Sequence, residues 1–216
     1  KPHISQYEQD RQEVSLISIL RERKSVVLYA LVGGFGSFVY AQFNYLLPLN
    51  MESLYGAKGA EIFGLLTSVN ALVVILATPL VTTFLGKIRD VKKLLIGQTL
   101  IVLGLYSYRY VQLQMALYFL LMVIFTIGEV FKTLGEQPYM TRRIPATHWG
   151  RVNSFVSIVS SAFSSVGNLF LGRLLDSRGY SAAWLAVGLA GIGLIILAYL
   201  LSETDKKAFP LLYAEK

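Results

Sequence analysis

Polar stretches alternate along this chain with apolar runs that have the length of helices rather than strands. Six runs stand out, at 26–49, 62–85, 94–108, 115–134, 152–175 and 182–201. At about 1.5 Å per residue, the first covers about 36 Å, against a hydrocarbon core about 30 Å thick. In lipid only helices and closed barrels satisfy every backbone polar group, so runs of this length predict an all-α, polytopic membrane protein with six transmembrane helices. The run 94–108 is the shortest, and it spans only if Lys92, Lys93 and Arg109 reach the two interfaces along their alkyl stems. The expected organisation is a cytoplasmic linker at 1–25, a six-helix transmembrane bundle at 26–202 and a cytoplasmic tail at 203–216. Within the linker, Val14, Ile17 and Leu20 form an apolar stripe suited to a short helix on the membrane surface; a disordered linker fits the same residues.

Composition agrees with the pattern and adds an orientation. Of 216 residues, 54% are hydrophobic and 15% charged, whereas a soluble domain carries about 25% charged residues. The mean hydropathy is +0.54. Basic residues cluster before the first run (Lys1, Arg11, Arg21, Arg23, Lys24), between the second and third (Lys87, Arg89, Lys92, Lys93), between the fourth and fifth (Arg142, Arg143, Arg151) and after the sixth (Lys206, Lys207, Lys216). The other connections carry Lys58, Arg109 and the pair Arg173 and Arg178. The positive-inside rule therefore places both termini and the two basic loops in the cytoplasm, in a multi-pass protein of the plasma membrane. The net charge of +7 reads as topogenic charge beside anionic lipid, so the bilayer is an expected partner and nucleic acid is not.

Several chemistries are excluded. The chain has no cysteine, hence no disulfide framework, thiol nucleophile or Cys-based zinc site. His3 and His148 lie in predicted cytoplasmic loops and make no metal cluster, and no cofactor site is expected. The sequence lacks a His-Glu-x-x-His zinc motif, a Walker-type phosphate loop, and any serine with a His or Lys partner inside the runs. An enzyme is accordingly not expected, although a six-helix scaffold or membrane enzyme remains the alternative of different class.

The candidate chemistry lies in the fourth run. Glu129 sits within it, and Lys132 and Glu136 follow at helical i, i+3 and i+7 spacing. A charge near the middle of a membrane helix costs roughly 2.5–3.5 kcal/mol on insertion scales, so it persists where it faces a bundle interior, a partner charge or a water-filled path. Two readings stand side by side: a carboxylate in a dry cavity that exchanges protons, or a static ion pair with Lys132. For Glu136 an interfacial salt bridge with Arg142 and Arg143 is the default. Gln42, Asn44 and Asn70 lie well inside their runs as substrate contacts or interhelical hydrogen bonds. The fifth run is polar, with Asn153, Ser154, Ser157, Ser160, Ser161, Ser164, Ser165 and Asn168; such a helix packs on helices or lines a cavity. Gly33, Gly34, Gly36 and Ser37 suit close helix packing, and the aromatic residues Phe38, Tyr40, Phe43, Tyr45, Phe119 and Phe125 suit either packing or an adaptable apolar pocket.

Local stretches, in order, resemble the C-terminal half of a major facilitator superfamily transporter, helices seven to twelve. Residues 42–49 (Gln-Phe-Asn-Tyr-Leu-Leu-Pro-Leu) are similar to the outer end of helix seven in bacterial drug:proton antiporters. Residues 86–93, with Gly86 and Asp90, echo the superfamily's Gly-x-x-x-Asp-basic loop. The Gly128-Glu129 pair is similar to helix ten of that group, and Gly150-Arg151-Val152-Asn153-Ser154 with Gly172-Arg173-Leu174-Leu175-Asp176 bracket a helix like helix eleven. The resemblance covers nearly the whole chain and implies one half of a major facilitator fold. It implies a secondary active transporter, proton-coupled and exporting amphipathic or drug-like small molecules, with a facilitator of peptide, sugar or lipid as the alternative. Its partners would be an N-terminal six-helix half, a small-molecule substrate and protons. On this reading Glu129, Lys132 and Glu136 are proton-coupling candidates. Gln42, Asn44, Tyr45, Asn70, Glu129 and Asn168 line the substrate cavity, and Gly86 and Asp90 form a conformational-switch loop. The resembling antiporters commonly have an uncharged residue at the position of Lys132.

Overall fold

A computed structural model describes residues 24–111, 114–144 and 146–214, so the stripe at 14–20 and His3 lie outside the described residues. The described residues are helical and contain no strand. The helices are α1 (Lys24–Ala41), α2 (Leu46–Tyr55), α3 (Gly59–Phe84), α4 (Asp90–Ser107), α5 (Met115–Arg143), α6 (Trp149–Ala208) and the short α7 (Leu211–Ala214). Three stretches are long and apolar enough to cross a membrane, Lys24–Phe84, Met115–Arg143 and Ala146–Ala208, which fits a membrane protein. Within the 60 residues of α6, Gly179 takes φ 76° and ψ 179°, a conformation that glycine adopts at little cost. There the helix breaks into segments 149–178 and 180–208. A Cβ at Gly179 would meet nothing within 4 Å, so the backbone conformation, and not lack of space, calls for glycine.

The first run differs from the expected single helix: the chain turns at residues 42–45 between α1 and α2. The amides of Gln42, Phe43 and Asn44 bond back three residues, to the carbonyls of Val39, Tyr40 and Ala41. That tightening leaves Phe38 O without its i+4 amide, and the Gln42 side chain replaces it, Nε2 donating at 2.7 Å. Pro48 adds to the break, because it has no N–H to offer Asn44 O.

α4 packs antiparallel to α5 and to the second segment of α6, whereas α1 runs parallel to the first segment of α6 and α3 runs parallel to α5. α1 lies along α6, α4 along α5 and α6, α3 along α5, and α2 against α3. Small residues set the closest approaches. A Cβ on Gly33 would stand 3.2 Å from Val156, and one on Gly34 3.0 Å from Phe163. Between α4 and α5 the backbones themselves touch, because a Cβ on Gly97 would stand 2.5 Å from Lys132 N, and one on Gly128 2.8 Å from Gly97 O. Dispersion and interhelical hydrogen bonds, rather than expulsion of water, hold such surfaces together in lipid. Leu46, Met51, Leu66, Ile101, Phe125 and Trp184 are among the fully buried side chains.

Each end of the bundle is closed by its own chemistry. At one end, Tyr29 near the start of α1 stacks on Tyr139 of α5 with ring centroids 4.7 Å apart, beside an ion network of Asp90, Arg142, Arg143 and Asp205. At the other, the Trp184 indole donates to Asn50 Oδ1 at 2.7 Å and the Tyr180 hydroxyl to Leu49 O at 2.8 Å. Tyr108 and Tyr118 stack there with centroids 5.1 Å apart.

Candidate functional site

Gly128 fixes α5 against α4, and the next residue, Glu129, reaches α1 and α3. The Tyr40 hydroxyl donates to Glu129 Oε1 at 2.6 Å, and Asn70 Nδ2 donates to Glu129 Oε2 at 2.9 Å. Asn70 Nδ2 also lies 2.9 Å from Thr126 Oγ1, whose hydroxyl donates to Met122 O at 2.7 Å. One half-buried carboxylate thus accepts from both neighbouring helices, with the short O–H···O⁻ length of a charge-assisted bond. A carboxylate serves both donors equally. Its protonated form turns one oxygen into a hydroxyl, a donor with reduced acceptor capacity, so proton uptake weakens the hold on Tyr40 or on Asn70.

Aromatic rings surround this hydrogen-bonded group. Tyr40 stacks on Phe125 with centroids 5.5 Å apart, Phe43 on Phe125 at 5.2 Å, and Phe63 meets Phe43 at 5.7 Å. Lys132 Nζ lies 5.4 Å from the Tyr40 ring centroid. Its ion pair is with Glu136 Oε2 at 3.7 Å, the i, i+4 neighbour that helix geometry favours. Among the described residues no ion pair within 4.0 Å joins Lys132 to Glu129. The interfacial bridge expected for Glu136 with Arg142 and Arg143 is therefore replaced by the one with Lys132.

The remaining cavity candidates divide. Gln42 is fully buried and its Nε2 donates to Asn168 Oδ1 at 2.8 Å, tying α1 to α6, while its Oε1 has no hydrogen-bond partner. Tyr45 is half-buried on the same side, its hydroxyl 2.8 Å from where a Cβ on Gly172 would sit. Asn44 is exposed at the turn and joins neither group. Gly86 and Asp90 lie far from Glu129, at the charged end. Gly86 is exposed and its carbonyl accepts from Lys93 Nζ at 3.4 Å. Asp90 Oδ2 is 3.2 Å from Arg142 Nη1 and 3.5 Å from Arg143 Nη1.

Arg143 grips Asp205 with two nitrogens, Nη2 to Oδ2 at 2.8 Å and Nε to Oδ1. The Tyr213 hydroxyl donates to Asp205 Oδ2 at 2.7 Å, and Arg89 Nη2 donates to Tyr213 O at 3.0 Å. Burial pushes the Tyr213 hydroxyl above its ordinary range, and the bond to Asp205 adds to the shift. Sequence reasoning missed Tyr40, Thr126 and Asp205 as polar partners. For Tyr40 a signal existed, because a phenol inside an apolar run needs a hydrogen-bond partner. Asp205 gave none, since its partner lies 62 residues away. No protein-family model matches the chain, and no curated protein matches it.

Proposed function

We propose that the chain is one half of a secondary active transporter of the major facilitator type, crossing the plasma membrane six times with both termini cytoplasmic. In it, proton uptake at Glu129 is linked to movement of α1 and α3 on α5, and the cargo is an amphipathic small molecule moved outward. The single observation that carries this reading is the Glu129 carboxylate held at once by Tyr40 of α1 and Asn70 of α3. An intramembrane acid that joins three helices is placed where a proton changes how they fit.

Lengths support six crossings. Lys24–Phe84 is 61 residues and Ala146–Ala208 is 63, each about three times the hydrocarbon thickness if straight. Each is interrupted, at 42–45 with Gly56–Lys58 and at Gly179, and with α4 and α5 they make six passes. A partner bundle is supported by Ser154, Ser157, Ser161 and Ser165, which are exposed on one face of α6. In lipid such a polar face needs protein or water against it. The half-buried rings of Tyr40 and Phe63 beside Glu129 would give an apolar cargo part of its surface.

The test is gradient-driven flux in proteoliposomes, with the chain supplied together with its partner half. Glu129→Gln, which keeps the shape but cannot ionise, is expected to leave the protein folded and to abolish pH-dependent flux. Unchanged pH-dependent flux in that variant would overturn the proposal.

A further inference from the structure

Glu129 and Lys132 stand one turn apart on α5, at i, i+3 spacing where side chains ordinarily meet. Opposite charges in a low-dielectric interior attract strongly, so their separation needs a cause. Tyr40 supplies it. Its ring offers Lys132 a π face, with Nζ 5.4 Å from the centroid, while its hydroxyl donates to Glu129 Oε1 at 2.6 Å. One side chain from α1 thus engages both charges at different places. Phe125, with its centroid 5.5 Å away, and Phe43, 6.5 Å away, hold the ring in position. Glu136 draws Lys132 in a second direction, at 3.7 Å.

We propose that Tyr40 is a positioning residue that keeps the Lys132 ammonium off the Glu129 carboxylate and so leaves Glu129 able to take up and release a proton. The inference rests on the reading of Glu129 as the proton-responsive group. The surroundings contain few rivals among the described residues. α1 contributes Tyr40, α5 contributes Lys132 with Glu136 behind it, and α3 contributes the uncharged Asn70. α4 meets this turn of α5 with Gly97, Leu100 and Ile101, none of them charged. A lysine closing directly on Glu129 would favour its ionised form by a pH unit or more and lock the carboxylate in one state.

The purified chain in detergent allows a direct titration. The infrared band of the protonated carboxyl is followed with pH and assigned to Glu129 by its loss in Glu129→Gln. Tyr40→Phe keeps the ring and removes the donor to the carboxylate, so the midpoint should rise by about one pH unit. Tyr40→Leu removes donor and ring together and lets Lys132 close on Glu129, so the midpoint should fall below the parent by about one unit. Adding Lys132→Met to Tyr40→Leu should bring it back above the parent. A Tyr40→Leu midpoint at or above that of Tyr40→Phe would overturn the spacer role. Should Tyr40→Leu not fold, Lys132→Met in the otherwise unaltered chain decides. Little shift supports the proposal, and a rise of a full unit shows that Lys132 already acts as the counter-ion and refutes it. The titration reads protonation without transport. A wrong order of midpoints sinks the spacer alone, unaltered pH-dependent flux in Glu129→Gln sinks proton coupling through Glu129 alone, and a parent band that never titrates sinks both.

Discussion

Removing Asp205 should cost the fold more than any other single change at the charged end. The Asp205 side chain is 0% exposed and that of Arg143 5%, so the pair is screened little by water. Asp205→Ala takes away a bidentate acceptor and the acceptor of the Tyr213 hydroxyl. Among the partners that remain to Arg143 are Asp90 Oδ2 at 3.5 Å and Tyr139 O at 3.4 Å, both at the long limit of a hydrogen bond, and the ring of Tyr139. Breaking a buried pair by deleting one partner costs about 3–5 kcal/mol. Arg142 gives the contrast, because it also touches Asp90 but is 62% exposed, and Arg142→Ala should cost under about 1 kcal/mol. The double change Arg143→Met with Asp205→Leu leaves no unpaired buried charge from this pair and should recover most of the loss, a coupling of about 2 kcal/mol or more. Thermal melting in detergent, followed by far-ultraviolet circular dichroism, compares the parent with Asp205→Ala, Arg142→Ala, the double variant and its two single components Arg143→Met and Asp205→Leu. The reasoning fails if Asp205→Ala melts with Arg142→Ala, or if the two single losses at 143 and 205 simply add in the double variant.

Three further outcomes follow from other parts of the bundle. Gly97→Ala should destabilise by about 1–3 kcal/mol, because the new Cβ meets backbone atoms of α5 at 2.5 and 2.7 Å, while Gly64→Ala, with nothing within 4 Å, should be neutral or slightly stabilising in the same melt. Asn70→Ala removes the α3 donor to Thr126 and Glu129 and should cost about 0.6–1.7 kcal/mol, the range for interhelical hydrogen bonds in membranes; a larger loss would mean that Asn70 does more than bridge. Single cysteines in this cysteine-free chain should label from outside at positions 58 and 177 and from the cytoplasm at 93, 148 and 206, and outside labelling at 93 would refute the orientation.

Much of the bundle was legible from the apolar runs, since five of the six coincide with single helical segments whose ends carry the charged and glycine residues. The first run was not, because Pro48 reads as apolar continuity while its missing N–H leaves Asn44 O, in the turn at 42–45, without a helical donor. Glu129 was legible as a carboxylate in an apolar run, and Asn70 as a buried amide, but that they touch depends on how α3 lies on α5. The choice of Lys132 between Glu129 and Glu136 was open in one dimension, with both within a turn. A third residue, Tyr40, 89 positions from Glu129, bears on it. The Arg143–Asp205 pair was wholly hidden, since nothing local to residue 205 indicates a partner on α5.

The glycines between α4 and α5 have a mechanical meaning. Gly97 and Gly104 are seven residues apart on one helix, Gly128 and Gly135 seven apart on the other, and each presses on the facing backbone. A seven-residue repeat keeps two helices in register over their length, with a shallow left-handed crossing. Backbones in such contact have no side-chain layer to absorb a shear or a twist. From Gly104 against Phe125 to Gly135 against Asp90 the two helices therefore move as one stiff unit, with Glu129 beside it. Beyond that stretch Pro138 removes a hydrogen bond from α5, so a tilt forced on the stiff unit is taken up as bending there, before the tip that carries Arg143.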